Sequence, residues 1–195
     1  MTVKDTTVIA GQGWVYYSSV DKKPFDLKAF TGVNPTQGIT DWTWLGSTSK
    51  DNLASLEKSG GDVNILDTWD TPAMRSQKAK NDWTLTVNAL SVTPEMLGLA
   101  FPGGKFDKTS GTFKVPAAEE TIEKALLVVI KDEVQGMVGI YFPRGTLTLA
   151  GAPSLSSDNF MEVPLQMSAL TSIQTGNRIE FILPEALAAG AGTTI

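Results

Sequence analysis

The chain has 195 residues with 42% hydrophobic and 19% charged content, the balance of a globular domain with one substantial core rather than of a disordered segment. A formal net charge of -5 argues against a protein built to grip nucleic acid, because phosphate binding needs clustered Lys and Arg. With no Cys and no His, disulfides, thiolate chemistry and the commonest general base and metal ligand are excluded, which removes most of the usual parts of an enzyme.

Residues 1–10 carry Lys4 and Asp5 and have no apolar core of signal-peptide length, so no targeting segment is expected. The longest apolar run, 125–130, is far short of the roughly 20 residues of a membrane-spanning helix, and no membrane role is expected. Residues 1–13 read as a mobile arm leading into a strand at 14–17. Trp14 and Tyr16 on one face and Val15 and Tyr17 on the other suit a strand buried on both sides, or one that pairs with another subunit. Pro24, Gly32, Pro35 and Gly38 mark 21–41 as a loop, with Phe25, Leu27 and Phe30 as its anchors, and Trp42 and Trp44 flank Thr43 in strand spacing.

Residues 48–58 read as a turn followed by a strand through Leu53, Ser55 and Glu57, and Gly60 and Gly61 form a hinge into the clearest strand periodicity in the chain. There Asp82, Thr84, Thr86 and Asn88 alternate strictly with Trp83, Leu85, Val87 and Ala89, the period of a strand with one apolar face. Upstream, 62–70 is a less regular strand, with Val63, Ile65 and Trp69 set against Asp62, Asn64, Thr68 and Asp70. Between the two, 71–81 holds Pro72 and the cations Arg75, Lys78 and Lys80 with no acid, which predicts a long hairpin loop with a cationic tip.

Thr93, Pro94 and Glu95 supply an N-cap, a first-turn proline and an acidic first turn for one short helix carrying Met96, Leu97, Leu99 and Ala100. Gly103, Gly104 and Gly111 bracket a polar turn, and 115–123 is ambiguous with a helical look. The run 125–130 is a buried strand, and 136–142 with 145–150 are two short strands or one strand bent at Pro143. Residues 160–170 alternate Met161, Val163, Leu165, Met167 and Ala169 against Glu162, Gln166 and Ser168, and Pro164 places that residue at an edge or bulge. A last strand covers 178–183, and 184–195 form a tail of small residues. The sum is mainly β, a sandwich or barrel spanning 14–183 with one short flanking helix and a long hairpin loop.

Several motifs tempt and fail. Ser47 to Lys50 matches S-x-x-K and Ser157, Asp158, Asn159 spell S-D-N, but two other S-x-x-K matches occur and the only K-T-G analogue is imperfect and precedes the S-D-N. The acids Asp62, Asp67, Asp70 and Glu119, Glu120, Glu123 lack the spacing of a cation loop and read as solvated faces. Pro102, Gly103, Gly104, Lys105 lacks the strand, spacing and hydroxyl of a P-loop. Trp42, Trp44, Trp69 and Trp83 sit in strand-like runs, where core packing is a commoner use than a sugar platform. No catalytic residue, metal site or cofactor is expected.

In order along the chain, Trp44, Leu45, Gly46, Thr48 and Asn52, then Gly60, Gly61 and Asp62, the run from Leu66 to Trp69, Met74, Arg75 and Trp83, the run from Ile140 to Gly145, and that from Pro164 to Leu170 resemble the major tail tube proteins of long-tailed bacteriophages, in particular those infecting actinobacteria. The resemblance runs from about Trp14 to Leu183. It implies a β-sandwich that assembles into hexameric rings stacked as a tube lined by a continuous β-barrel, a virion protein made in the bacterial cytoplasm. It also implies tape-measure, tail terminator and tail tip proteins as partners, and double-stranded DNA that passes through without specific binding. A lectin-like β-sandwich and the tube protein of a related contractile injection system are the other readings.

On that footing Asp82, Thr84, Thr86, Asn88, Glu162, Gln166 and Ser168 are expected to face the lumen, since a neutral or acidic wall does not hold phosphates. Met74, Arg75, Lys78 and Lys80 are expected to contact the adjacent ring, because their charge opposes that of an acidic protein.

Overall fold

In the computed structural model, which describes residues 6–118 and 120–188, the apolar 125–130 run lies at the centre of an antiparallel sheet. In chain order the strands are β1 (Gln12–Ser18), β2 (Thr43–Trp44), β3 (Ser55–Gly60), β4 (Val63–Leu66), β5 (Arg75–Lys78), β6 (Asn81–Ala89), β7 (Lys105–Asp107), β8 (Thr112–Lys114), β9 (Ile122–Asp132), β10 (Gly136–Leu149), β11 (Val163–Ala169) and β12 (Glu180–Ile182). The helices are α1 (Pro94–Ala100), between β6 and β7, and the four-residue α2 (Glu185–Ala188) after β12. The eight-stranded sheet runs β2-β1-β9-β10-β11-β6-β3, with β12 also on β10, and β4-β5 and β7-β8 form separate ribbons.

One bent strand turns this sheet into two layers. The register of β10 against β9 shifts between Phe142 and Gly145, so its first half carries β12 and its second half carries β11. Pro143 sits in that bulge, where it has no N–H to leave unpaired, and its carbonyl accepts from Asp21 N–H at 2.8 Å. Gly145 follows because a Cβ there would stand 2.7 Å from Met167 Cγ and 2.8 Å from the Ser168 carbonyl. The halves then fold over one another like a sandwich, and the sheet does not close into a barrel within one subunit.

The main core fills the space between the halves. Val15, Leu126, Val128 and Phe142 of one half meet Leu85, Val87, Leu147, Leu165 and Met167 of the other, with Met96, Leu99 and Ala100 of α1 at the side. The helix starts as its sequence predicts, with Pro94 at the first position and the Thr93 hydroxyl accepting from Met96 N–H at 3.2 Å. A second core lies on the other face of β1 and β9, where Tyr16, Ala125, Leu127, Val129 and Tyr141 are covered by Leu27, Phe30 and Trp42 of the 21–42 loop. The strands β1 and β9 are apolar on both faces because both faces are covered.

That covering loop is pinned by its own carbonyls. Trp42 Nε1 donates to Lys23 O at 3.0 Å, Tyr16 OH to Pro35 O at 2.9 Å and Tyr141 OH to Lys22 O at 2.9 Å. Edge-to-face ring contacts, such as Trp14 with Phe30 and Tyr16 with Phe25, both at 5.1 Å, complete the packing. Burial raises the Tyr16 phenol, and burial with the nearby Glu180 and Asp21 charges pushes Tyr141 up to about 12, so both remain neutral donors.

Several sequence expectations are corrected. Four residues of the predicted 71–81 loop form strand β5, and the 62–70 strand shortens to β4, because the chain turns at 67–74 and pairs with itself. The strand predicted from Leu53 begins at Ser55, and in the helical-looking 115–123 segment residues 115–118 and 120–121 lie outside any helix or strand before Ile122 opens β9. The turn between Gly104 and Gly111 widens into the β7-β8 hairpin. Pro164 lies on neither an edge nor a bulge, since β11 is interior; its carbonyl accepts from Ala150 N–H at 2.8 Å, one residue past the end of β10, so the reciprocal bond that its missing N–H forfeits falls beyond the end of that ladder. The expected 1–13 arm enters β1 at Gln12, with Ile9 N–H donating to Asp132 at 2.6 Å, and its residues 1–5 lie outside the described ones, as do Glu119 and residues 189–195 of the expected 184–195 tail.

Phe142 is fully buried at the bend, so Phe142→Ala should destabilise the subunit by about 3–5 kcal/mol in a denaturant titration. Asp132 accepts from Ile9 N–H and, at 2.7 Å each, from Val134 and Gln135, and these bonds hold its carboxyl below the usual value. A depressed carboxylate contributes stability that is present above its unfolded value of about 3.9 and is lost as the pH falls through the lower folded value. The melting-temperature advantage of the native protein over Asp132→Asn should therefore be constant above about pH 5 and shrink as the solution is acidified below that.

Candidate functional site

The second half of the sandwich has one face in the core and one free, and its register sorts the two, with Lys58, opposite Trp83, as the charged residue on the core side at the sheet edge. Leu56, Leu85, Met167, Leu147 and Ile122 form a continuous row across β3, β6, β11, β10 and β9 on the core side. The neighbouring row on the free side is Glu57, Thr84, Ser168, Thr146 and Glu123, followed by Ser55, Thr86, Gln166 and Thr148. Asp82 stands opposite Ser59, and Asn88 opposite Pro164. Six of the seven residues expected at a lumen, Asp82, Thr84, Thr86, Asn88, Gln166 and Ser168, thus share one polar face.

The seventh is held elsewhere. Glu162 precedes β11, and its carboxylate accepts from Ser49 Oγ at 2.5 Å and Asn52 Nδ2 at 2.8 Å, tying the 47–54 loop across the end of the face. Sequence reading missed Thr146, Thr148, Ser55, Glu57 and Glu123 as members of the face. Their alternation with apolar neighbours was a signal, but only the pairing assigns it a side.

One cation stands among these rows, and it is neutralised. Arg144 donates through Nε to Glu123 at 2.7 Å and through Nη2 at 2.9 Å, a bidentate pair. The pair holds the Glu123 carboxyl below its usual value, through the Arg144 hydrogen bond first, and raises the guanidinium correspondingly. The surface is therefore neutral to acidic.

Its borders are open. The edge strand β3 ends the face on one side, and on the other side residues 122–124 of β9 pair with β10 but not with β1, whose pairing to β9 begins at Ala125. An edge strand presents unpaired N–H and C=O groups that template pairing with another chain. Burial is slight along β3, where only Leu56 is not exposed.

From this edge a ribbon extends. Gly60 and Gly61, with φ of 69° and 84°, turn the chain without breaking the pairing, since Gly61 N–H donates to Lys80 O at 3.0 Å and Ala79 N–H to Asp62 O at 2.8 Å. Beyond them every residue of β4 and β5 is exposed. Val63, Ile65, Leu66 and Met74 stay in solvent, and Trp69 reaches 105% relative exposure, that of a free side chain. The 67–74 tip is ordered by its own bonds, with Ala73 N–H donating to Asp67 at 2.7 Å and the Thr68 hydroxyl to Asp70 at 2.9 Å.

The predicted cationic tip is corrected by this geometry. Arg75 and Lys78 lie on the returning strand β5 and Lys80 at the junction, so the cations line the stalk. Asp67, Trp69 and Asp70 form the tip, with Met74 at its base. A two-stranded ribbon whose residues are all exposed is marginal in water on its own.

No helix among the described residues is long and apolar enough to cross a membrane. Residues 1–192 match the family described as phage tail tube protein. Two relatives are named major tail protein Gp23. That of Mycobacterium phage D29 is 31% identical over 134 residues, 66% of this chain and 67% of the relative. That of Mycobacterium phage L5 is 30% identical over 135 residues, again 66% of this chain and 67% of the relative. The chain belongs to the phage tail tube protein family, and it is a structural component of the virion tail that assembles into a tube, not an enzyme.

Proposed function

We infer that the 14–183 domain forms hexameric rings by edge-to-edge strand pairing, and that the rings stack into a tube through which double-stranded DNA leaves the virion. The observation that carries this reading is the polar face, four to five strands wide, bordered by open edges and backed by the core. Pairing β3 to a neighbouring copy hides its unpaired backbone groups and extends the polar face from one subunit to the next. Six copies contributing four strands each would make a barrel of about 24 strands, roughly 37 Å across before strand tilt widens it. That channel admits a DNA duplex.

A wall of Thr, Ser and Gln with its one arginine paired offers phosphates little to hold. Each cation that neutralised a phosphate would release counterions and add affinity, and six copies would repeat the effect around every ring. The stalk cations Arg75, Lys78 and Lys80 supply attraction between rings, each exposed pair worth about 0–1 kcal/mol but repeated six times per junction. Tape-measure, tail terminator and tail tip proteins are the partners expected at the channel and the two ends.

Electron microscopy of the purified protein should show rings and tubes at high concentration, whereas a stable monomer would contradict the reading. Thr84→Lys with Thr86→Lys should leave tubes intact and slow genome ejection from virions built on the variant, and ejection at the native rate would remove these residues from the lumen. Arg75→Glu with Lys78→Glu should leave the melting temperature unchanged and block tube growth, with stacking of the native protein weakening as salt shrinks the Debye length from about 30 Å at 0.01 M to about 3 Å at 1 M.

A further inference from the structure

Among the described residues, the tip of the arm is exposed and an apolar groove opens on the body. The groove, about 360 Å³, opens between the start of β1 and the 48–54 loop, with Val15, Leu53, Val128 and Ile130 among its walls. Gly11 and Gly13 add no side chains to it. Lys50 is the only charged residue among those that line it, while the tip presents the indole of Trp69 between Asp67 and Asp70. Their chemistry is complementary: an exposed aromatic flanked by carboxylates, and an apolar recess with a cation at its wall.

The two features lie at opposite ends of the same strand pair. The arm leaves where Gly60 faces Asn81, at the end of β3 and the start of β6. The groove loop is fastened at the other end of β6, where Thr48 bridges Ala89 and Ser49 N–H donates to Asn88 O at 2.9 Å. The nine residues of β6 separate them by about 30 Å. A tip at one end and a recess at the other cannot meet within one subunit, but they meet between copies arranged head to tail. Such a heterologous contact repeats without closing and generates a filament.

We propose that the 67–74 tip of one subunit seats in the groove of a subunit in the next ring, with Trp69 as the apolar anchor and Asp67 and Asp70 facing Lys50. This rests on the stacked-ring reading above and assigns the surface that receives the arm. It also divides the labour along the arm, with apolar burial at the tip and the stalk cations meeting the acidic body beside it.

The absence of native cysteine makes the test direct. In tubes of the variant Lys50→Cys with Asp70→Cys, a short bis-maleimide cross-linker should give a ladder of multimers on a denaturing gel, absent when either substitution is alone. Trp69→Ala should keep the subunit melting temperature, keep rings, and lower tube yield by more than about tenfold, as loss of a central aromatic anchor does. Lys50→Asp should shorten tubes, and adding Asp70→Lys should restore them. Tubes that form from the cysteine variant without the ladder, as an N-terminal segment filling its own groove would produce, or cross-links confined within single chains, overturn the proposal. Failure of the native protein to form rings at all overturns the ring reading instead, so the two are distinguished.

Discussion

The structure depends on a single register, the one that aligns β3, β6, β11 and the second half of β10. Because side chains alternate with a period of two, fixing Leu85 against Met167 and Leu56 on the core side fixes Thr84, Ser168 and Glu57 on the free side. A slip of one residue would turn Thr and Ser into the core and Leu and Met into solvent, so burial of the apolar row enforces the composition of the polar one. Folding energy and surface chemistry are thus set by the same pairing. The free face needs no stabilising interactions of its own, which leaves it open to be neutral and unadhesive.

The second constraint is the bend at Pro143. A straight β10 would carry β11 and β12 in one plane and leave both faces of β9 half covered. The bulge instead folds the sheet over itself, burying Leu126 and Val128, while the aromatic loop closes the opposite face over Leu127 and Val129. The rigid half, covered on both sides, supports the exposed half, whose edge and arm are free for other subunits. Rigidity and contact surface are separated within one sheet, as a protein that must hold its shape while joining copies requires.

The amphipathic strands β6 and β11 were legible in the sequence because burial on one face writes a period-two pattern, and α1 was legible because Thr93 and Pro94 are local signals. The arm is not legible for the converse reason: both faces of β4 and β5 are wet, so Val63, Ile65, Arg75 and Lys78 carry no pattern that separates strand from loop. Its charges were found, but their position relative to the turn was not. Glu162 is in phase with Gln166 and Ser168, yet its carboxylate is captured by Ser49 and Asn52, more than a hundred residues away in the chain. The roles of Thr146, Glu57 and Arg144 depend on non-local pairing that no window of sequence contains. The family resemblance, carried by short fragments in order, points to the tube independently of these contacts.

The central claim is that the face bearing Thr84, Thr86, Gln166, Ser168, Thr146 and Thr148 is the wall of the channel. A helical reconstruction of assembled tubes by electron microscopy, at a resolution that separates strands and side chains, tests it most directly. The account predicts those side chains around a central lumen, with β3 hydrogen-bonded to a strand of the neighbouring subunit. A tube in which that face points outward or is buried between rings, or in which β3 remains unpaired, would contradict it.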